Sequence, residues 1–215
     1  MKTDIDLRDD ILDELEWEPS LTATEIGVIV DEGIVTLTGC VYSFPEKWAA
    51  QKAALRVSGV KAIANDIEVR LPIENNRSDE DIARAAADAL KWDVALPKDL
   101  QVVVENGWVT LSGKAEWQFQ KIGANSAVAR LMGVKGVINN IKIESNVAPS
   151  AVKEKIEAAL QRHAASDAKG IRVSADGGKV TLEGLVDSWE EKEAAEDAAW
   201  ATPGVTDVKN KLSIA

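Results

Sequence analysis

One seven-residue phrase returns three times along this chain: Gly33-Ile34-Val35-Thr36-Leu37-Thr38-Gly39, Gly107-Trp108-Val109-Thr110-Leu111-Ser112-Gly113 and Gly178-Lys179-Val180-Thr181-Leu182-Glu183-Gly184. Successive copies start 74 and 71 residues apart. Each is followed at the same distance by a Gly-Val pair (Gly59-Val60, Gly133-Val134, Gly204-Val205), and each pair by an Asn (Asn65, Asn139, Asn210). Anchors that keep register through three copies mean tandem repeats of one unit. The 215 residues therefore divide into three modules, 1–74, 75–147 and 148–215. At about 70 residues each, they lie near the small end of what folds independently.

Each module opens with a helical pattern. Leu7, Ile11, Leu12 and Leu15 fall at helix spacing in the first, Ile82, Ala86 and Leu90 in the second, and Val152, Ile156 and Leu160 in the third. Ser78, with Asp81 three residues on, reads as a helix N-cap. A strand follows (26–30, 100–104, 171–175), and a turn rich in Gly, Asp or Asn leads into the repeated phrase, which gives a hairpin. A second helix is predicted near 45–57, 118–131 and 188–201. Gly59, Gly133 and Gly204 then stand where a left-handed C-terminal cap would end it. The last strand carries Ile63, Ile67 and Val69, or their counterparts. The order α-β-β-α-β predicts an α+β fold, a three-stranded mixed sheet with both helices on one face. The links between modules are short, Pro72–Ser78 and Ser145–Ser150, which favours a compact or semi-rigid array.

Charge narrows the partners. The net charge of −11 is uneven: −8 in module one, 0 in module two, −3 in module three. An acidic chain without a basic stripe is a poor electrostatic partner for nucleic acid or anionic lipid headgroups. No run is apolar for the roughly 18 residues a membrane span needs, and Met1–Asp6 has no apolar secretory core. The chain reads as cytoplasmic, or as periplasmic if a signal has been removed.

Chemistry-bearing residues are sparse. His163 and Cys40 are each the only residue of their type, so zinc sites built from Cys and His are excluded, and a catalytic dyad would have to use His163. An exposed helix-end His and an incidental thiol are the expected readings. The acids Asp9, Asp10, Asp13, Glu14 and Glu16 lack calcium-loop spacing, and the glycines lack the Lys and placement of a phosphate loop. No metal and no cofactor are expected. Asn65, Asn139 and Asn210 are expected to satisfy nearby backbone.

The outer sheet face carries more information. Strand side chains alternate, so Val35 and Leu37 face the helices and position 34 faces away. That outer face holds Ile29 and Ile34 in module one and Val103, Trp108 and Ile138 in module two. In module three the same positions are Ser174, Lys179 and Lys209. An apolar patch of this kind marks a contact, either between modules one and two or with an outside partner. Seven Trp stand against two Phe and one Tyr. Trp17 and Trp92 hold matching places at the end of the first helix and are expected as core plugs. Trp48, Trp117, Trp189 and Trp200 flank the second helix and are expected to pack into the core. Trp108 is the leading candidate for a functional contact.

The α-β-β-α-β order, the Gly-x-Val-Thr-Leu-x-Gly strand and the late Gly-Val followed by Asn resemble the BON domain, the module named after bacterial osmotically inducible protein Y and nodulation proteins. The resemblance covers nearly the whole chain, three times over. It implies a non-catalytic protein of osmotic or envelope stress that contacts phospholipid membrane or a membrane-associated partner. The alternative is a soluble cytoplasmic adaptor, or an ion or small-ligand sensor, acting through protein–protein contacts. An enzyme would need an acid/base pair that the residues do not supply.

Overall fold

A computed structural model describes residues 2–22, 25–145, 151–162 and 170–214. Module one runs α1 (Asp4–Trp17), β1 (Ile26–Asp31), β2 (Ile34–Val41), α2 (Phe44–Arg56), β3 (Ala62–Asn65) and β4 (Glu68–Val69). Module two runs α3 (Asp79–Trp92), β5 (Gln101–Glu105), β6 (Trp108–Ala115), α4 (Gln118–Ala129) and β7 (Gly136–Ile143). Module three runs α5 (Val152–Arg162), β8 (Ile171–Asp176), β9 (Lys179–Val186), α6 (Trp189–Trp200) and β10 (Asp207–Ile214). The α+β class and the threefold repeat are those expected from the sequence. By packing, the chain divides into two compact units. One comprises Met1–Val94, Gln101–Leu111 and Ala124–Asn139; the other comprises Ala95–Leu100, Ser112–Gly123 and Asn140–Ala215.

In each sheet the repeated phrase forms the central strand. It pairs antiparallel with the first strand (Ile26 opposite Gly39, Ile171 opposite Gly184). It pairs parallel with the last (Ile34 opposite Ala62, Lys179 opposite Asp207). The central strand is the most buried because it alone has neighbours on both sides and helices over one face. Val35, Leu37, Val109, Leu111, Val180 and Leu182 are all buried. In module one they meet Leu7, Ile11 and Leu15 of α1 and Ala50, Ala53 and Ala54 of α2. Module three repeats this with Val152, Ile156 and Leu160 against Ala195, Ala198 and Ala199. Alanines on the second helix let it sit close on the sheet.

Polar side chains fix the element ends. Thr3, Ser43, Ser78 and Ser188 cap helices by accepting from the backbone N–H three residues on. The carboxylate of Asp4 accepts from the N–H groups of Glu32 and Gly33 at 2.9 and 3.2 Å. That of Asp79 accepts from Asn106 and Gly107 at 2.7 and 2.9 Å. One Asp thus pins the hairpin tip to the start of the first helix in each of these modules. Glu32 and Gly33 both have positive φ, 49° and 82°, as the tight hairpin turn demands.

Three expectations need correction. Trp17 and Trp92 are not core plugs: they are 83% and 85% exposed. Leu7, Ile11 and Leu15 set the buried stripe of α1, and two residues beyond Leu15 the helix has turned by about 200°, away from the core. The same holds for Trp92 beyond Leu90. Gly59 does not cap its helix: α2 stops at Arg56 and Val57 is already extended (φ −77°, ψ 123°). Gly59, at φ 104°, makes the following turn, which drops Val60 into the core. The last strand of module one is broken into β3 and β4, which pair separately with β2, opposite Ile34–Leu37 and Cys40–Val41.

Candidate functional site

Strand alternation places the candidate contact residues on the faces opposite the helices of two separate sheets, two residues in module one and three in module two. Ile29 lies in β1 and Ile34 opens β2. Val103 lies in β5, Trp108 opens β6 and Ile138 lies in β7. Their exposures are 60%, 50%, 54%, 47% and 45%, while their strand neighbours Val35, Leu37, Val109 and Leu111 are sealed. All five lie in the first compact unit. They remain accessible there, so contact between modules one and two does not cover them. In module three, Ser174, Lys179 and Lys209 occupy the corresponding exposed positions.

Trp108 has a support that the motif did not reveal. A side chain at Gly136 would run into the six-membered ring of its indole, so the ring lies flat across that glycine. The facing pair is Ile34 and Ala62 in module one, and Lys179 and Asp207 in module three. Only where the aromatic stands is the partner reduced to glycine. Glycine at 136, where the other copies carry Ala62 and Asp207, was the available signal. The indole is held broadside on the sheet by rigid backbone, so little side-chain entropy remains to be lost when a partner binds.

Two of the repeated asparagines, Asn65 and Asn210, are structural clamps. Asn65 Nδ2 donates to the Lys47 carbonyl at 3.4 Å and to Gln51 Oε1 at 3.1 Å. Asn210 Nδ2 donates to the Lys192 carbonyl at 3.3 Å and to Glu196 Oε2 at 2.9 Å, while its Oδ1 accepts from the N–H of Leu212. Lys47 and Lys192 close the loop by donating to the carbonyls of Ile67 and Leu212, each at 2.7 Å. Second helix and last strand are thereby tied by side chains as well as by packing. We expect Asn65→Ala to lower stability by about 1–3 kcal/mol, since buried partners lose their bonds. Exposed Asn140→Ala should stay within about 0.5 kcal/mol. Urea unfolding of the two variants checks this; equal midpoints would refute the clamp.

Other candidates carry no reactive arrangement. Cys40 donates its thiol proton to Glu25 Oε2 at 2.7 Å, and that hydrogen bond pushes the thiol pKa up. The same bond, with one from the Tyr42 hydroxyl at 2.7 Å, holds the Glu25 carboxyl below its usual range. Cys40 is therefore kept as a thiol. His163 lies outside the described residues. Among the described residues no cluster of three or more His, Cys, Asp or Glu side chains could hold a metal, and no helix is long and apolar enough to cross a membrane. Of the tryptophans beside the second helices, Trp200 packs against the module-three core, as expected, whereas Trp48 does not plug the core. Trp48 is 51% exposed with Lys52 Nζ 4.7 Å from its ring centroid, and Trp117, Trp189 and Trp200 are half-buried.

Comparison with known proteins agrees with the threefold architecture. The BON domain family model matches residues 3–70, 78–145 and 150–215. Osmotically-inducible protein Y of Escherichia coli (strain K12) is 30% identical over 132 residues, which cover 57% of this chain and 64% of that protein. The chain thus spans less than two thirds of that relative's length. Among solved structures, CdsD, a structural protein of the type III secretion system of Chlamydia trachomatis, aligns over 98% of this chain and 92% of its own. The identity is 16% and the TM-score 0.28. The CdsD C-terminal domain aligns over the whole of both chains at 18% identity, also with a TM-score of 0.28. With the repeated strand, the mixed sheet and the clamping Asn present in register, the chain belongs to the BON domain family and carries the domain three times in tandem.

Proposed function

We propose that this chain is a non-catalytic binding protein of osmotic or envelope stress, and that the outer sheet faces of modules one and two contact a phospholipid membrane or a membrane-associated partner. The observation that carries the reading is the exposed apolar set Ile29, Ile34, Val103, Trp108 and Ile138, on rigid strands and in two modules of three. Exposed apolar surface is retained where it has a partner. A Trp laid flat on a sheet suits the headgroup region of a bilayer, where its ring is apolar and its N–H stays wet. The stress setting is taken from the relationship to osmotically-inducible protein Y. The net charge of −11 favours a zwitterionic surface over an anionic one.

Vesicle flotation tests the reading. The chain is expected to float with phosphatidylcholine vesicles at physiological salt, because apolar burial is not screened, and Trp108→Ser is expected to abolish most of that. Absence of flotation with both phosphatidylcholine and phosphatidylglycerol-containing vesicles would overturn membrane contact. The second reading, a soluble adaptor or small-ligand sensor, is favoured by the acidic charge of module one. It predicts a protein partner that is retained by the wild type and lost with Trp108→Ser.

A further inference from the structure

A second feature of the first compact unit lies away from the sheet faces. A cleft of about 320 Å³ opens between the first turn of α2 and the end of α4. One wall is apolar: Phe44, Pro45 and Trp48. The other is polar: Asn125 and Ser126, near the middle of α4, and Arg130, the first residue beyond it. Three properties distinguish it from an ordinary seam. Among the described residues, the side chains of Asn125, Ser126 and Arg130 make no hydrogen bond or ion pair, so their donors are unspent. No carboxylate lines the cleft, although the chain carries 36 acidic residues against 25 Lys and Arg. A second cation stands beside the aromatic wall, because Lys52 holds its Nζ over the Trp48 ring, 4.7 Å from the centroid.

We infer that this cleft binds a small planar organic anion, an aromatic carboxylate. Trp48 and Phe44 offer rings against which a flat apolar body can stack. Arg130 offers a forked, permanently charged donor that matches a carboxylate in two parallel hydrogen bonds. The amide and hydroxyl of Asn125 and Ser126 add neutral donors on the same wall. The volume stands at the lower end of the range for small-molecule sites, enough for a fused two-ring body and too small for a lipid chain or a folded peptide. The positive character is local, so an anion is drawn to this point on a chain whose total charge repels it elsewhere.

The test is isothermal titration of the full chain with naphthoate, and with the neutral naphthalenemethanol as its uncharged counterpart. Naphthoate should bind saturably at one site per chain, and the alcohol should bind more weakly by about tenfold or more, as loss of a charge-assisted hydrogen bond implies. Arg130→Gln should weaken naphthoate to the level of the alcohol. Trp48→Leu should weaken both compounds, and Trp189→Leu in module three should leave both titrations unchanged. Arg130 and Trp48 are exposed enough that circular dichroism should show all variants folded. No saturable binding at millimolar naphthoate would overturn the assignment, as would equal binding of acid and alcohol or binding indifferent to Arg130→Gln. None of these residues belongs to the outer sheet faces, so failure here leaves the vesicle result standing, and the reverse.

Discussion

Replacing Gly184 by alanine is expected to destabilise module three by at least about 3 kcal/mol, and Gly39→Ala to do the same to module one. Both glycines sit in the central strand opposite the start of the edge strand, Gly184 facing Ile171 and Gly39 facing Ile26. Both have positive φ, 139° and 109°. Two costs add. The backbone conformation is one that L side chains rarely adopt, worth about 1–3 kcal/mol. The new methyl would also point into the carbonyl oxygen of Gly170 or Glu25, which is backbone and cannot rotate away. Gly113 supplies the internal control. Its φ is 126°, but the nearest carbonyl oxygen, that of Asp99, would stand 3.1 Å from the methyl. Gly113→Ala should therefore cost little beyond the strain. Urea unfolding of the three variants would show the order; Gly113→Ala as costly as the others would mean that strain alone is responsible.

Leu111→Ala is expected to cost about 2–5 kcal/mol, the range for removing a large side chain from a core that cannot collapse around the space. Leu111 is fully buried on β6, the central strand of its sheet. Leu37 and Leu182 are its sealed counterparts, so Leu37→Ala and Leu182→Ala should fall in the same range. The neighbour on the other face gives the contrast. Trp108 is 47% exposed, so Trp108→Ser should change stability far less than it changes partner binding. A thermal melt of Leu111→Ala that matches the wild type would mean that the strand presents its other face to the helices.

The strand phase was legible because alternation is a local property: once Val35 and Leu37 face the helices, Ile34 must face away. The helix stripes were legible for the same reason at a different period. Burial was not legible where it depends on what lies beyond an element's own pattern. Trp17 and Trp92 are large and apolar and stand at matching helix ends, which suggested burial. Their rotational phase, two residues past the last core leucine, sends them to the surface. A helix precedes Gly59, which suggests a cap, but the chain leaves the helix at Val57 and spends the glycine on the next turn. The support of Trp108 by Gly136 and the wall facing Trp48 join residues far apart in sequence, and no spacing rule connects them. The asparagines were legible as backbone-satisfying amides, but their reach to Gln51 and Glu196 on the second helix was not.

The indole of Trp108 and the bare backbone of Gly136 also have a consequence for substitution. Two positions on neighbouring strands are sterically coupled: a side chain gained at 136 would displace the ring of Trp108 from its present seat. The three copies in this chain already display three versions of that pair, isoleucine with alanine, tryptophan with glycine, and lysine with aspartate. Moving the contact aromatic to another module, as it is seated here, therefore calls for a change at both positions of that pair.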